Sequence, residues 1–390
     1  MTEQYFGSVG KKIVFIDPNW ITAKPSKLEV YNRAVREAWM RQKGIPLFHN
    51  HKAVHKHKPY DLFLGNKALK VALCALTLHQ IELNYDLEPI QRLFHEYGIS
   101  KVLGVSSTSQ FAKTVFVSAQ KKGLKTYYLV NSWKDLYINS FVPIRNFDKI
   151  FMWSEQMNRD YLLHCPYLKA KNIVITGNPS FDVYVNYHPA HSKSYYAKKY
   201  NLDQYKPWLY YTMMPPGLWD NEIEHIKGLG EELHEAGIEA NILVRRNPNH
   251  LKTDFIEMVL PPNCTLTEHY VAYDQDKDLI MQTPEGEREW MDLVHHTDAN
   301  MSIPSTVTLE FLVLNKPTFN LAFSTVGNFP ESLNQHFDSG FYAPLFEREE
   351  KVFEIKNTAS LIAILNSIQL THVTKSDQSQ ASDLILKEIL

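Results

Sequence analysis

HHTDANMSIPSTVTLEFLVLNKPTFNLAF, residues 295–323, reads as a strand, a tight turn, a helix opening on two hydroxyl residues, and a second strand. ANMSI and PTFNLAF are apolar runs of strand length, whereas TVTLEFLVLN carries its apolar residues at helical spacing, so the segment is a β–α–β unit. Ser305 and Thr306 then open the helix, where N–H groups without intrahelical partners and the positive end of the dipole favour an anion. Glu310 follows one turn after Thr306 on the same face, placed to accept hydrogen bonds from both hydroxyls of a ribose while phosphates occupy the turn above it. An ordinary capped helix, with Ser305 as cap and Glu310 paired to a surface lysine, accounts for the same spacing.

The alternation continues on both sides. Upstream, WLYYT is a strand, NEIEHIKGLGEELHEAG a helix, NILVRR a strand and EREWMDLVHHT a helix. In the first half, strands are expected at Lys12 to Ile16, Pro46 to Asn50, Lys101 to Val105, Lys125 to Val130 and Lys149 to Met152, with helices such as KLEVYNRAVREAWMRQKG and SQFAKTVFVSAQKKG between them. NIVITGNPSFD adds a last strand and a Gly-Asn-Pro turn, which puts the linker near Asn178 to Asp182. The class is therefore α/β, with a domain over residues 1–178, a second over 179–375, and a tail over 376–390 that ends in a short amphipathic helix. Two such halves imply a cleft lined by the carboxyl ends of their strands.

Composition agrees. A chain of 390 residues exceeds the roughly 250 to 300 at which single cores stop growing. Lys and Arg number 41 against 43 Asp and Glu, a balance that excludes a dominant basic surface for nucleic acid. Cys74, Cys165 and Cys264 are scattered, so neither a disulfide framework nor a zinc site is indicated and a reducing cytoplasm is expected. MTEQYFGSVGKK lacks the apolar core of a signal peptide, and no run approaches the ~18 apolar residues of a membrane span. Membrane contact, where it occurs, is expected to be peripheral, at the inner face of the cytoplasmic membrane.

DANMSIPSTVTLEFLVLNKPTFNLAF resembles the strand, Ser-Thr turn, helix-Glu and Lys-Pro strand of GT-B superfold glycosyltransferases that build bacterial surface polysaccharides. It is also similar to capsule synthases, polysialyltransferases and the glycerophosphotransferases of teichoic acid synthesis. The resemblance implies two Rossmann-like domains, donor phosphate on Ser305 and Thr306, and ribose on Glu310. NILVRRNPNH resembles a strand ending in a basic residue and a His-Pro step; Asn247 stands where that histidine would be. Arg245, Arg246 and His250 are the replacements, and Arg246 is preferred because a guanidinium at a strand end pairs a diphosphate bidentately. Thr212 and the PPG after it form a loop expected to face the donor phosphates. FDKIFMWSEQMNRDYL is similar to the end of the first GT-B domain.

An inverting transferase also needs a base for the acceptor hydroxyl. Asp17, at the end of the first strand, fits by position, with a plain turn at Asp17-Pro18 as the alternative; His49 and His51 come next. A retaining enzyme needs none. The expected donor is an NDP- or CMP-sugar and the acceptor a cell-surface glycan or its lipid-linked precursor, without a metal or other cofactor. A sugar-nucleotide epimerase and a non-catalytic nucleotide- or glycan-binding partner are the competing readings. HNHKAVHKHK has no trusted zinc spacing, Asp274, Asp276 and Asp278 sit in what reads as a charged turn, and Gly228 and Gly230 fall inside a helical pattern rather than a dinucleotide fingerprint.

Overall fold

The computed structural model describes residues 86–105, 110–132, 146–165, 167–252, 259–268, 270–274, 279–337, 342–368 and 381–389, with single helical positions at Ala75 and His79. Strands expected at Lys12 to Ile16 and Pro46 to Asn50, and with them Asp17, His49 and His51, lie outside the described residues. The chain forms two compact units, Met1–Asn178 with Gln380–Leu390, and Pro179–Ser379.

In the first unit, β1 (Lys101–Gly104), β2 (Lys125–Leu129), β3 (Lys149–Met152) and β4 (Ile173–Ile175) pair in that order, all parallel. Parallel neighbours need crossovers, and among the described residues helices supply two of them. After α1 (Glu88–Glu96), α2 (Gln110–Lys121) joins β1 to β2 and α3 (Glu155–His164) joins β3 to β4. Ser154 starts α3 by accepting a hydrogen bond from the Met157 N–H at 3.2 Å. Side-chain alternation divides the sheet: Phe116 of α2 packs edge-on against Tyr128 and Phe147, while Tyr127 and Phe151 face the other way. That second face is covered by the tail helix Ala381–Ile389, through Ile385 and a Lys149–Glu388 ion pair at 3.0 Å.

In the second unit, α4 (Asp182–Val185) and α5 (Lys193–Tyr200) precede a sheet built from β5 (Trp208–Thr212), β6 (Asn241–Arg245) and β7 (Cys264–Leu266). A hairpin follows, β8 (Val271–Asp274) with β9 (Leu279–Gln282). The sheet resumes with β10 (Ala299–Ser302), β11 (Thr318–Leu321) and β12 (Val352–Ile355). Its helices are α6 (Glu222–Glu235), α7 (Pro284–His296), α8 (Thr306–Val313), α9 (Glu331–Phe337), α10 (Ala343–Arg348) and α11 (Thr358–Ser367), and the tail helix Ala381–Ile389 is α12.

All six sheet strands are parallel, in the order β12-β11-β10-β5-β6-β7. Every residue of β5 and β10 is buried, as expected of central strands covered on both faces. Leu209, Tyr211, Ile242, Val244, Met301 and Phe319 pack with α6 and α11, and Trp208, Tyr210 and Leu243 pack with α5, α7 and α8. Each such side chain contributes roughly 1.5–3 kcal/mol of transfer free energy. Gly228 and Gly230 serve this packing: a Cβ on Gly228 would sit 2.6 Å from Thr325 Oγ1, and one on Gly230 2.6 Å from Cys264 Sγ.

One expectation is corrected. Asp274, read as part of a charged turn, is the last residue of the hairpin strand β8, paired with Leu279, and the edge strand β7 before it was not read as a strand. Strands of three and four residues are too short to show a period. Asp276 and Asp278 lie outside the described residues.

Candidate functional site

From β5 the chain winds outward to β6 and β7, and from β10 it winds the opposite way to β11 and β12. The loops after β5 and β10 therefore part company at their shared boundary, and such a reversal opens a crevice at the carboxyl ends of the strands. The register sets Arg245, Thr212, Ser302 and Asn320 abreast along that edge, on β6, β5, β10 and β11.

These residues belong to the alternation that faces α7 and α8, and Asn300, two residues before Ser302 on the same face, links Ser302 to Thr212. Ser302 Oγ donates to Asn300 Oδ1 at 2.8 Å, and Asn300 Nδ2 donates to the Tyr210 carbonyl at 3.0 Å and to Thr212 Oγ1 at 3.4 Å. The bonds through Asn300 rigidify the β5–β10 boundary, while Asn320 Nδ2 on β11 is buried without a partner. Beyond Ser302 the chain turns through Ile303 and Pro304 to Ser305, which is extended (φ −152°) and precedes α8. The Ser305 N–H reaches Thr308 Oγ1 at 3.4 Å, and that hydroxyl donates to Asn320 Oδ1 at 2.9 Å. Thr308, which the sequence reading passed over, ties the turn to β11. Ser305 and Thr306 sit half-buried at the helix start, where Ser305 and Thr308 form a capping box and the Thr308 N–H bonds the Ser305 carbonyl at 3.1 Å, which leaves the N–H groups of Thr306 and Val307 as the ones without an acceptor in the helix.

One turn further, Glu310 Oε2 is buried and has no hydrogen-bond partner. Burial holds this carboxyl above the usual carboxylate range, while the Tyr184 hydroxyl, Arg245 and the Trp290 indole draw it part of the way back. Its neighbours are fixed in turn: Trp290 Nε1 donates to the Tyr184 hydroxyl at 2.9 Å, and the Arg245 guanidinium carbon lies 3.9 Å from the Trp290 ring centroid. Tyr184 and Trp290 were not foreseen from sequence. Tyr184 lies in a four-residue helix, and Trp290 reads simply as the apolar face of α7. Of the two arginines, Arg245 stands beside Glu310. Arg246, half-buried and lowered by burial, follows the strand near His250. Asn247 makes a turn, its Oδ1 accepting the Asn249 N–H at 3.0 Å.

The loop after Thr212 is anchored from below. Glu222, buried at the start of α6, accepts the Met214 N–H at 3.0 and 3.1 Å and the Tyr211 hydroxyl at 3.2 Å; burial pushes its carboxyl up to about 8. His225, pushed down to about 3 by burial, accepts the Thr325 N–H at Nδ1 (3.1 Å) and stacks on Trp219 at 4.6 Å. Among the described residues no group of three His, Cys, Asp or Glu side chains could hold a metal ion, and no helix is long and apolar enough to cross a membrane.

No family model matches the chain, and no curated protein matches its sequence. Solved structures do resemble it. A putative UDP-N-acetylglucosamine 2-epimerase from Listeria monocytogenes superposes with a TM-score of 0.51 at 12% identity, over 81% of this chain and 79% of that one. A UDP-GlcNAc 2-epimerase from Methanocaldococcus jannaschii, in complex with UDP-GlcNAc and UDP, gives 0.49 at 12% identity over 80% of each. A glycosyltransferase from Rickettsia africae gives 0.41 at 12% identity, over 89% and 86%. The parallel α/β units and the first of these similarities establish the GT-B fold.

Proposed function

We propose that this chain is a glycosyltransferase that moves a sugar from an NDP- or CMP-sugar to a bacterial cell-surface glycan or its lipid-linked precursor. The observation that carries the donor site is the buried, unpartnered Oε2 of Glu310, one turn below a helix N-terminus at the reversal of strand order. A buried acceptor atom left empty costs about 1–3 kcal/mol, a penalty that a ribose hydroxyl relieves. In this reading Glu310 accepts hydrogen bonds from the ribose, and the α8 N-terminus with Ser305 and Thr306 receives the phosphates. The loop after Thr212 closes the phosphate pocket, and an arginine at the end of β6 supplies the cation, Arg246 being the choice made from sequence. The leaving nucleotide gains negative charge as the glycosidic bond breaks, and preorganised N–H donors with a guanidinium stabilise it without a metal. Asp17 and His49 remain the proposed groups for acceptor activation, in a protein working in the cytoplasm, where any contact with the inner face of the membrane is peripheral.

The test is to incubate the full chain with a panel of nucleotide sugars, with and without glycan acceptor, and follow the nucleotide by phosphorus NMR. Acceptor-dependent release of nucleotide is expected. Interconversion of donors without release would replace the transferase by an epimerase of the same fold, and binding without turnover would replace it by a passive partner.

A further inference from the structure

Arg245 is half-buried at the end of β6, and its guanidinium makes no hydrogen bond or ion pair among the described residues. A guanidinium carries five N–H donors, and no nitrogen of Arg245 is both buried and unpartnered, so these donors are open to solvent or to a ligand. The group is nevertheless held. Its carbon lies 3.9 Å from the centroid of Trp290, and that indole is itself buried and pinned through Nε1 to the Tyr184 hydroxyl at 2.9 Å. Glu310 feels the charge of Arg245, yet its Oε2 stays without a partner, so the two do not close on each other. An oriented cation with empty donors thus stands beside an oriented carboxylate with an empty acceptor.

The register places this pair relative to the helix end. Arg245 is abreast of Thr212, and Thr212 of Ser302, after which the chain turns into α8. Strands lie about 4.8 Å apart, so the backbone of Arg245 is roughly 10 Å from that of Ser302, a span that a diphosphate lying over Thr212 fills.

We propose that Arg245, rather than its neighbour Arg246, is the phosphate clamp of the nucleotide site. Held by Trp290, its fork takes a diphosphate bidentately from the β6 side while the α8 N-terminus takes it from the β10 side. This rests on the donor-site reading above and adds to it the ligand class, a nucleoside diphosphate rather than a neutral nucleoside or a sugar. Because the stack is formed before the ligand arrives, less side-chain freedom is lost on binding.

The test is calorimetric titration of the full chain with UDP, CDP, ADP, GDP and CMP, on wild type and on the variants R245Q, R245K, R246Q, E310A and R288Q; Arg288 is exposed on α7. For the diphosphate that wild type binds best, R245Q is expected to weaken binding about 10- to 100-fold, as loss of a charged hydrogen-bond pair does, and to flatten its salt dependence. R245K recovers part of the loss, R288Q binds as wild type, and the melting temperature of R245Q stays near that of wild type. Wild-type affinity in R245Q, or a larger loss in R246Q than in R245Q, overturns the clamp. Loss in R245Q with wild-type affinity in E310A keeps the clamp and rejects the ribose role of Glu310. No binding of any nucleotide to wild type removes the donor site and the clamp together.

Discussion

Thr212 at the end of β5 and Ser302 at the end of β10 are register partners across the boundary from which the sheet winds in opposite directions. Asn300 joins them, donating to Thr212 Oγ1 and accepting from Ser302 Oγ. The polar residues of two central strands thus converge where the topology opens a crevice. The α8 turn and Glu310 stand above them.

Glu310 should trade stability for binding. Its carboxyl is raised by burial, so the folded chain holds this proton more tightly than the unfolded chain does. Its stabilising contribution is present below the ordinary carboxylate value and is lost as pH rises through the raised one. Glu310→Gln should therefore melt at or above the wild-type temperature at pH 7 while binding nucleotide about 10- to 100-fold more weakly. Wild-type nucleotide affinity should fall as pH is lowered through the raised value, and Glu310→Gln should show no such fall. Calorimetry and thermal melts across pH 4.5–7.5 check both.

Glu222 gives a second signature with the same sign. Its pKa of about 8 lies above the unfolded value, so stability should decline as pH rises from the ordinary carboxylate range towards about 8 and then level off. Glu222→Gln keeps an acceptor for the Met214 N–H and should flatten that decline. Urea midpoints at pH 6 and pH 8.5 measure it; a wild-type midpoint that rises over this interval would contradict the assignment.

Lys316 should prove structural. Its Nζ donates to the carbonyls of Val294, His295 and Thr297 at 2.7, 2.7 and 2.5 Å, closing the C-terminus of α7. Burial draws it down to about 7 and Asp298 pulls it up. We stand behind the ammonium form, because three carbonyls need three N–H donors. Lys316→Met strands those carbonyls and should cost about 2–4 kcal/mol in a urea melt.

Much of the second unit was legible because its strands are buried on both faces and read as apolar runs. WLYYT and NILVRR fall on β5 and β6, the latter one residue longer than the observed strand. What sequence could not supply was the environment of Glu310. Tyr184, Trp290 and Arg245 come from three separate elements, and only register and packing bring them together. Choosing between Arg245 and Arg246 needed the parity of β6, which sets Arg245 on the face of Leu243. The edge strand β7, the hairpin and β12 were too short to announce themselves.

Asp292 should control the segment entering the second unit. It accepts from the Tyr187 hydroxyl at 2.7 Å, the Ala190 N–H at 2.8 Å, the His191 N–H at 3.0 Å and the Tyr196 hydroxyl at 2.9 Å. Asp292→Asn sets an NH₂ group against two of these donors and should cost about 2–4 kcal/mol. Faster amide exchange at Ala190 and His191, by mass spectrometry, is the expected local readout.

The donor site at α8 stands or falls on nucleotide titration of the full chain and of Glu310→Ala and Ser305→Ala, with folding checked by circular dichroism. Wild type is expected to bind a nucleotide, and each folded variant to bind it more weakly. Unchanged affinity in both variants would contradict the donor site.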